Sequence, residues 1–168
     1  KYYERSWGFC LSKNVFDHLP RDKKYHAVIR SKFSTDPENG MKIGVGLIHP
    51  DPQGAVPGGS NPDAGEFIIQ SHTCHPAQAN DDGSGVVCEI ELARRLAENP
   101  LPAGSMSIRF WFGPETIGTV AYLANNESLI PNLRGGIFLD TTGNQNTLAL
   151  QRTRQDNHLL DRIARHVI

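Results

Sequence analysis

The chain reads as an α/β protein: a mixed, mostly parallel sheet flanked by helices, with a small β-rich N-terminal part. Three observations predict this. From about residue 65 onward, short apolar runs of strand length alternate with stretches of helical spacing, the pattern of an α/β domain. Side chains suited to metal binding or acid–base work stand at or just past the ends of those apolar runs, where such sheets gather their active groups. Before residue 65 the pattern is irregular and β-like, and it ends in a segment dense in Pro and Gly, His49 to Ala64. Residues 1–64 are therefore expected to form an inserted or accessory segment, and residues 65–168 the α/β core.

In chain order, Tyr25 to Phe33 alternates well enough for a half-buried strand, and Met41 to Ile48 is a second candidate weakened by Gly44 and Gly46. Phe67 to Ser71 reads as a buried strand. Ser84 to Glu98 places Val86, Val87, Ile90, Ala93, Leu96 and Ala97 near helical spacing, and Pro100 and Pro102 stop the helix. Ser105 to Phe112 reads as a strand, Thr116 to Asn125 as a helix and Gly136 to Asp140 as a strand. Leu148 to Leu150 is a short strand candidate. Asp156 to Ile168 reads as a helix with Leu159, Leu160, Ile163, Ala164 and Val167 on one side, capped by Asp156.

With 168 residues, 38% hydrophobic and 21% charged, the chain is ordinary globular material. A formal net charge of -1 leaves no basic excess to neutralise phosphates, which argues against nucleic-acid binding. No apolar stretch approaches the roughly 20 residues of a membrane span, so no membrane partner is expected. The start, Lys1-Tyr2-Tyr3-Glu4-Arg5, lacks the apolar core of a signal peptide. Three cysteines, Cys10, Cys74 and Cys88, cannot all pair, which points to a reducing, cytoplasmic setting.

Four segments carry candidate chemistry. His72, in Ser71-His72-Thr73-Cys74-His75-Pro76, could offer an imidazole nitrogen to a metal, or be a hydrogen-bonded histidine at a strand end. Asp81, in Asn80-Asp81-Asp82-Gly83-Ser84-Gly85, could ligate a metal or cap the following helix; if it ligates, Asp82 or Ser84 caps. Glu115, after Pro114 at a strand-to-helix junction, could serve as general base toward water or only face the positive end of the helix dipole. Asp140 could be a third ligand or a bare strand end. Three protein ligands and an open position make a catalytic zinc arrangement. Cys74 could be a soft ligand, a supporting group or a small buried residue. His75 falls on the opposite face from His72 if the strand continues, and reaches the metal only if the chain has already turned. Nothing around Cys74 beyond its histidines signals a cysteine–histidine nucleophile. His18, His26, His49, His158 and His166 carry no motif.

These runs resemble the zinc-dependent aminopeptidase superfamily that also contains glutaminyl cyclases, and within it a bacterial aminopeptidase-like branch. The likeness rests on Trp7-Gly8-Phe9-Cys10, the His-x-Cys-His-Pro run His72 to Pro76, Asn80 to Gly85 and Pro114 to Gly118. It implies a two-metal centre on a mixed sheet, with His72 and Asp140 on the first metal, Asp81 bridging and Glu115 as general base. This chain departs from the usual pattern in three ways. Cys74 stands where an acid normally orients the histidine, Thr116 replaces the second glutamate of a Glu-Glu pair, and the last metal-binding histidine lies beyond Ile168. The resemblance thus implies one zinc subsite with the second in question. It also implies either a piece of a larger fold that needs a further segment or another subunit to complete its core, or an adapted minimal form.

The expected activity is a zinc-dependent hydrolase of peptide or amide bonds, aminopeptidase-like, acting on a peptide or aminoacyl substrate with water activated beside Glu115. Two alternatives stand beside it: a catalytically degenerate binding module, and a single-zinc glutaminyl-cyclase-like transferase.

Overall fold

The computed structural model describes residues 11–30, 36, 38–50, 64–75 and 77–167. The chain divides into two compact units, Lys1–Thr35 and Asp36–Ile168. In the first, a short helix α1 (Lys13–His18) is capped by Ser12, whose hydroxyl accepts from the Val15 N–H at 3.3 Å. The strand expected from Tyr25 does not form over residues 25–30, and residues 31–33 lie outside the described residues. Alternation alone does not make a strand: its backbone needs a partner for its hydrogen bonds.

The second unit is a four-stranded sheet with helices, in which the strands are β1 (Gly44–Ile48), β2 (Glu66–His72), β3 (Ser107–Gly113) and β4 (Leu133–Phe138). Their order across the sheet is β1-β3-β2-β4. β2 runs parallel to both β3 and β4, while β1 joins β3 antiparallel at the edge. The edge position tolerates Gly44 and Gly46, because a half-covered strand loses little packing at a glycine. β2 lies inside the sheet with a neighbour on each side, and its apolar residues are the short run Phe67, Ile68 and Ile69. Ile69, Phe110 and Trp111 are the buried apolar residues among those described.

The crossover from β2 to β3 is α2 (Gly85–Glu98), entered through a turn at Ala79–Ser84. Gly85 starts the helix where a Cβ would strike the Asp82 carboxylate and the Leu139 carbonyl. The face that α2 buries is not wholly the apolar one. Glu89 is fully buried while Val87 and Ile90 are exposed. Outward, Arg94 and Arg95 pair with Glu91, and Arg94 also with Glu98. After β3 come α3 (Ile117–Asn125) and a 3-10 turn, Glu127–Asn132, that no periodicity announced. Below them Arg109 of β3 grips Glu66 of β2 through two bonds of 2.6 and 3.1 Å.

The final helix, α4, is Leu159–Val167. Leu160 packs toward Gly135, whereas Leu159, Ile163 and Val167 are exposed. Asp156 does not cap it. Asp161 reaches back instead, accepting from the His158 N–H at 2.9 Å and from both the N–H and hydroxyl of Thr153. Residues 148–150 form no strand, having no ladder partner. No helix among the described residues is long and apolar enough to cross a membrane.

Candidate metal centre

β2, β3 and β4 are mutually parallel, so their carboxyl ends share one edge of the sheet. His72 closes β2, opposite Gly113, and its side chain is 1% exposed. Its N–H donates to Asp82 Oδ2 at 2.9 Å, and Asp82 Oδ1 accepts from the Gly85 N–H at 3.0 Å. Asp82 therefore caps α2 and ties it to the end of β2. The neighbouring Asp81 is left for His72: its Oδ1 lies 2.9 Å from Nε2. The peptide between the two aspartates is cis. Past β4, the Leu139 N–H donates to the Gln70 carbonyl at 2.9 Å, which keeps the chain beside β2. That brings Asp140 Oδ1 to 4.0 Å from His72 Nε2.

Since β2 ends at His72, His75 lies in the loop and shares the site. Its Nδ1 is 3.3 Å from Asp81 Oδ1, and its Nε2 is 3.8 Å from Glu115 Oε2. Cys74 Sγ is 3.6 Å from His72 Nδ1 and accepts from the Glu115 N–H at 3.3 Å. Glu115 itself sits just after β3, before a tight turn in which its carbonyl accepts from the Ile117 N–H at 2.5 Å. Thr116, at the centre of that turn, has φ 56° and ψ -66°.

Two overlapping donor groups result, each with its ligand atoms within 4.8 Å of one another: His72, Asp81 and Asp140, and His72, Cys74, His75 and Glu115. The residues fit a borderline divalent cation. Nitrogen, carboxylate and sulfur donors are what zinc takes, at about 2.0–2.3 Å, and small side-chain rotations would close the spread. His75 Nδ1 is buried without a hydrogen bond, beside a carboxylate. Among the described residues, neither Asp81 nor Asp140 has a lysine or arginine partner. Burial, with Asp82 and Asp81 close by, holds the Asp140 carboxyl above the ordinary range, a repulsion that a cation would relieve.

Residues 55–168 match the family described as a domain of unknown function, DUF4910. The chain belongs to that family. A relative from Clostridium acetobutylicum is 29% identical over 99% of this chain and 34% of its own length. It is provisionally described as a polysaccharide biosynthesis protein with an aminopeptidase-like domain. A crystal structure of a protein from the same organism, provisionally described as a peptidase, matches with a TM-score of 0.63 at 29% identity. That match covers 99% of this chain and 35% of the other. The chain thus spans about a third of the length of the relatives it matches.

In this DUF4910 chain the candidate donor residues border two clefts, His72 and His75 on one and Glu115 on the other. One, of about 490 Å³, is lined by His72, Thr73, His75, Gln78 and Asp82 among others. The other, of about 300 Å³, has Gln70, Trp111 and Phe138 beside Glu115, Thr116 and Thr119. Beneath the site lies a residue that the sequence did not single out. Glu89 of α2 accepts from the Ser71 hydroxyl at 2.6 Å and from the Trp111 N–H at 2.8 Å. Burial pushes its carboxyl up to about 7. A glutamate inside a helix carries no local sign of such a role. The Trp7 to Cys10 run and Pro76 lie outside the described residues.

Proposed function

We propose that this chain carries the catalytic end of a zinc-dependent, aminopeptidase-like hydrolase of peptide or amide bonds. The observation that carries the reading is the meeting of His72 Nε2, Asp81 Oδ1 and Asp140 Oδ1 at one sheet edge, with Glu115 across the His75 ring. The aminopeptidase-like and peptidase descriptions of the two relatives point the same way. His72, Asp81 and Asp140 would hold the ion. When bound, zinc supplies a Lewis acid that polarises the scissile carbonyl and acidifies water. Glu115 takes the proton of the attacking water and returns it to the leaving amine. His75 Nε2, 3.8 Å from Glu115 Oε2, flanks that carboxylate beyond direct hydrogen-bond reach. The substrate is a peptide or aminoacyl compound lying along the clefts on either side.

A further segment or a second subunit completes the core in this reading. Ile137 and Phe138 of β4 and Leu159 and Ile163 of α4 stand exposed without one. A second reading, a peptide-binding module without turnover, is favoured by Thr116, which lines a cleft beside Glu115 yet brings no carboxylate. Metal analysis with turnover of aminoacyl and peptidyl amides separates the two. The hydrolase predicts bound zinc in wild type and in Glu115→Gln, with a rate loss of roughly 100-fold or more in the variant. Peptide capture with no turnover in either protein would support the module.

A further inference from the structure

We infer that Cys74 is a positioning residue, whose sulfur orients the His72 imidazole and the strand-to-helix junction that presents Glu115. The inference rests on the metal-site reading above and extends it to a residue that touches no substrate. Cys74 Sγ lies 3.6 Å from His72 Nδ1, while the opposite ring nitrogen, Nε2, faces Asp81 and Asp140. The same sulfur accepts the Glu115 N–H at 3.3 Å. One atom thus joins the loop after β2 to the junction between β3 and α3. An imidazole that gives its Nε2 lone pair to a cation carries its proton on Nδ1, and that N–H needs an acceptor to hold the ring in place. Sulfur is a longer and weaker acceptor than oxygen, which suits the 3.6 Å separation.

The competing role, direct ligation, is less compatible with this geometry. The two ring nitrogens point away from each other, so an ion shared by Nε2, Asp81 and Asp140 sits on the far side of the ring from the sulfur. Cys74 therefore does by hydrogen bonding what a carboxylate does for a metal-bound histidine elsewhere.

The test compares wild type with Cys74→Ala, Cys74→Ser and Cys74→Asp. Zinc affinity, read by competition with a chromophoric chelator, is expected to fall roughly 10- to 100-fold in the alanine variant. It should recover in the aspartate variant, which restores an acceptor. Cobalt-substituted wild type should show no thiolate-to-metal charge-transfer band. In the metal-free protein, amide exchange at Glu115 should quicken in Cys74→Ala and slow again in Cys74→Ser or Cys74→Asp. Unchanged affinity in the alanine variant, or an aspartate variant no better than alanine, would overturn the assignment. So would a charge-transfer band that disappears with the sulfur, since it would make Cys74 a ligand. A wild type that takes no metal would sink the metal-site reading instead, and amide exchange at Glu115 would still decide what Cys74 does.

Discussion

Asp82 and Asp81 are neighbours of the same chemistry, and the fold gives them different work. Asp82 is buried with its two oxygens occupied by the N–H groups of His72 and Gly85. Asp81 is partly exposed and its Oδ1 faces two imidazoles. A single backbone step separates a structural carboxylate from a candidate ligand. Glu89 is the other residue whose role is set by surroundings. Its carboxyl, about 7 instead of the ordinary 4.5, is raised chiefly by burial, against the lowering effect of Ser71 and the Trp111 N–H. The folded chain therefore holds a proton that the unfolded chain has released between those two values. That stabilisation is complete below about 4.5 and is lost as pH rises through about 7. Glu89→Gln, neutral throughout, should flatten this part of the stability profile and leave the variant more resistant than wild type at pH values above the window. Urea unfolding on either side of the window checks it, and parallel profiles for the two proteins would show that Glu89 does not carry the slope.

The junction between β3 and α3 is where an element's local geometry serves the site. Thr116 holds a positive φ, a region that costs a β-branched residue about 1–3 kcal/mol, and it does so directly after Glu115. The turn sends the chain into α3 and leaves the Glu115 side chain beside His75, at the edge that carries the candidate ligands. Thr116→Gly should relieve that cost and stabilise the fold by about 1 kcal/mol in denaturant titrations. A loss of stability would mean that the threonine side chain contributes contacts worth more than the strain. At the start of α2, Gly85 answers a different demand: a backbone that passes too close to Asp82 and Leu139 for any Cβ. Both turns sit beside the candidate ligands, and both depart from what helix propensity alone would choose.

For the molecule as a whole, three aspartates and two histidines converge with no lysine or arginine among the described residues to balance them. The carboxylates repel one another at this sheet edge, an effect that the two imidazoles offset only in part and that a cation would offset further. Zinc should raise the midpoint of thermal unfolding, and at a free concentration of 100 times Kd the gain is about 2.7 kcal/mol. His72→Ala should abolish most of that rise. Equal rises in both proteins would place the bound metal elsewhere. The exposed stripe of Leu159, Ile163 and Val167 is a second property at this scale. Its apolar periodicity is helical, yet the sheet covers only the Leu160 side of α4.

Much of the core was legible because its signals are local. β2, β3, α2 and α3 follow from apolar runs and helical spacing, and the convergence of His72, Asp81, Asp140 and Glu115 follows from parallel strands ending together. What failed were segments whose outcome depends on distant partners. Residues 25–30 alternate but find no ladder, and residues 148–150 likewise. Asp156 stands at a plausible cap position, but Asp161 makes the bonds. Glu89 looks like a solvent-facing helix residue and is instead buried against Ser71 and Trp111. By itself, the order of residues determined the donor chemistry and the types of β2, β3, α2 and α3, since periodicity and side-chain identity are properties of neighbours along the chain. Strand order, the burial of Glu89 and the placing of Cys74 between His72 and Glu115 were decided only by tertiary structure. They depend on contacts between residues far apart in sequence, and no local pattern encodes those distances.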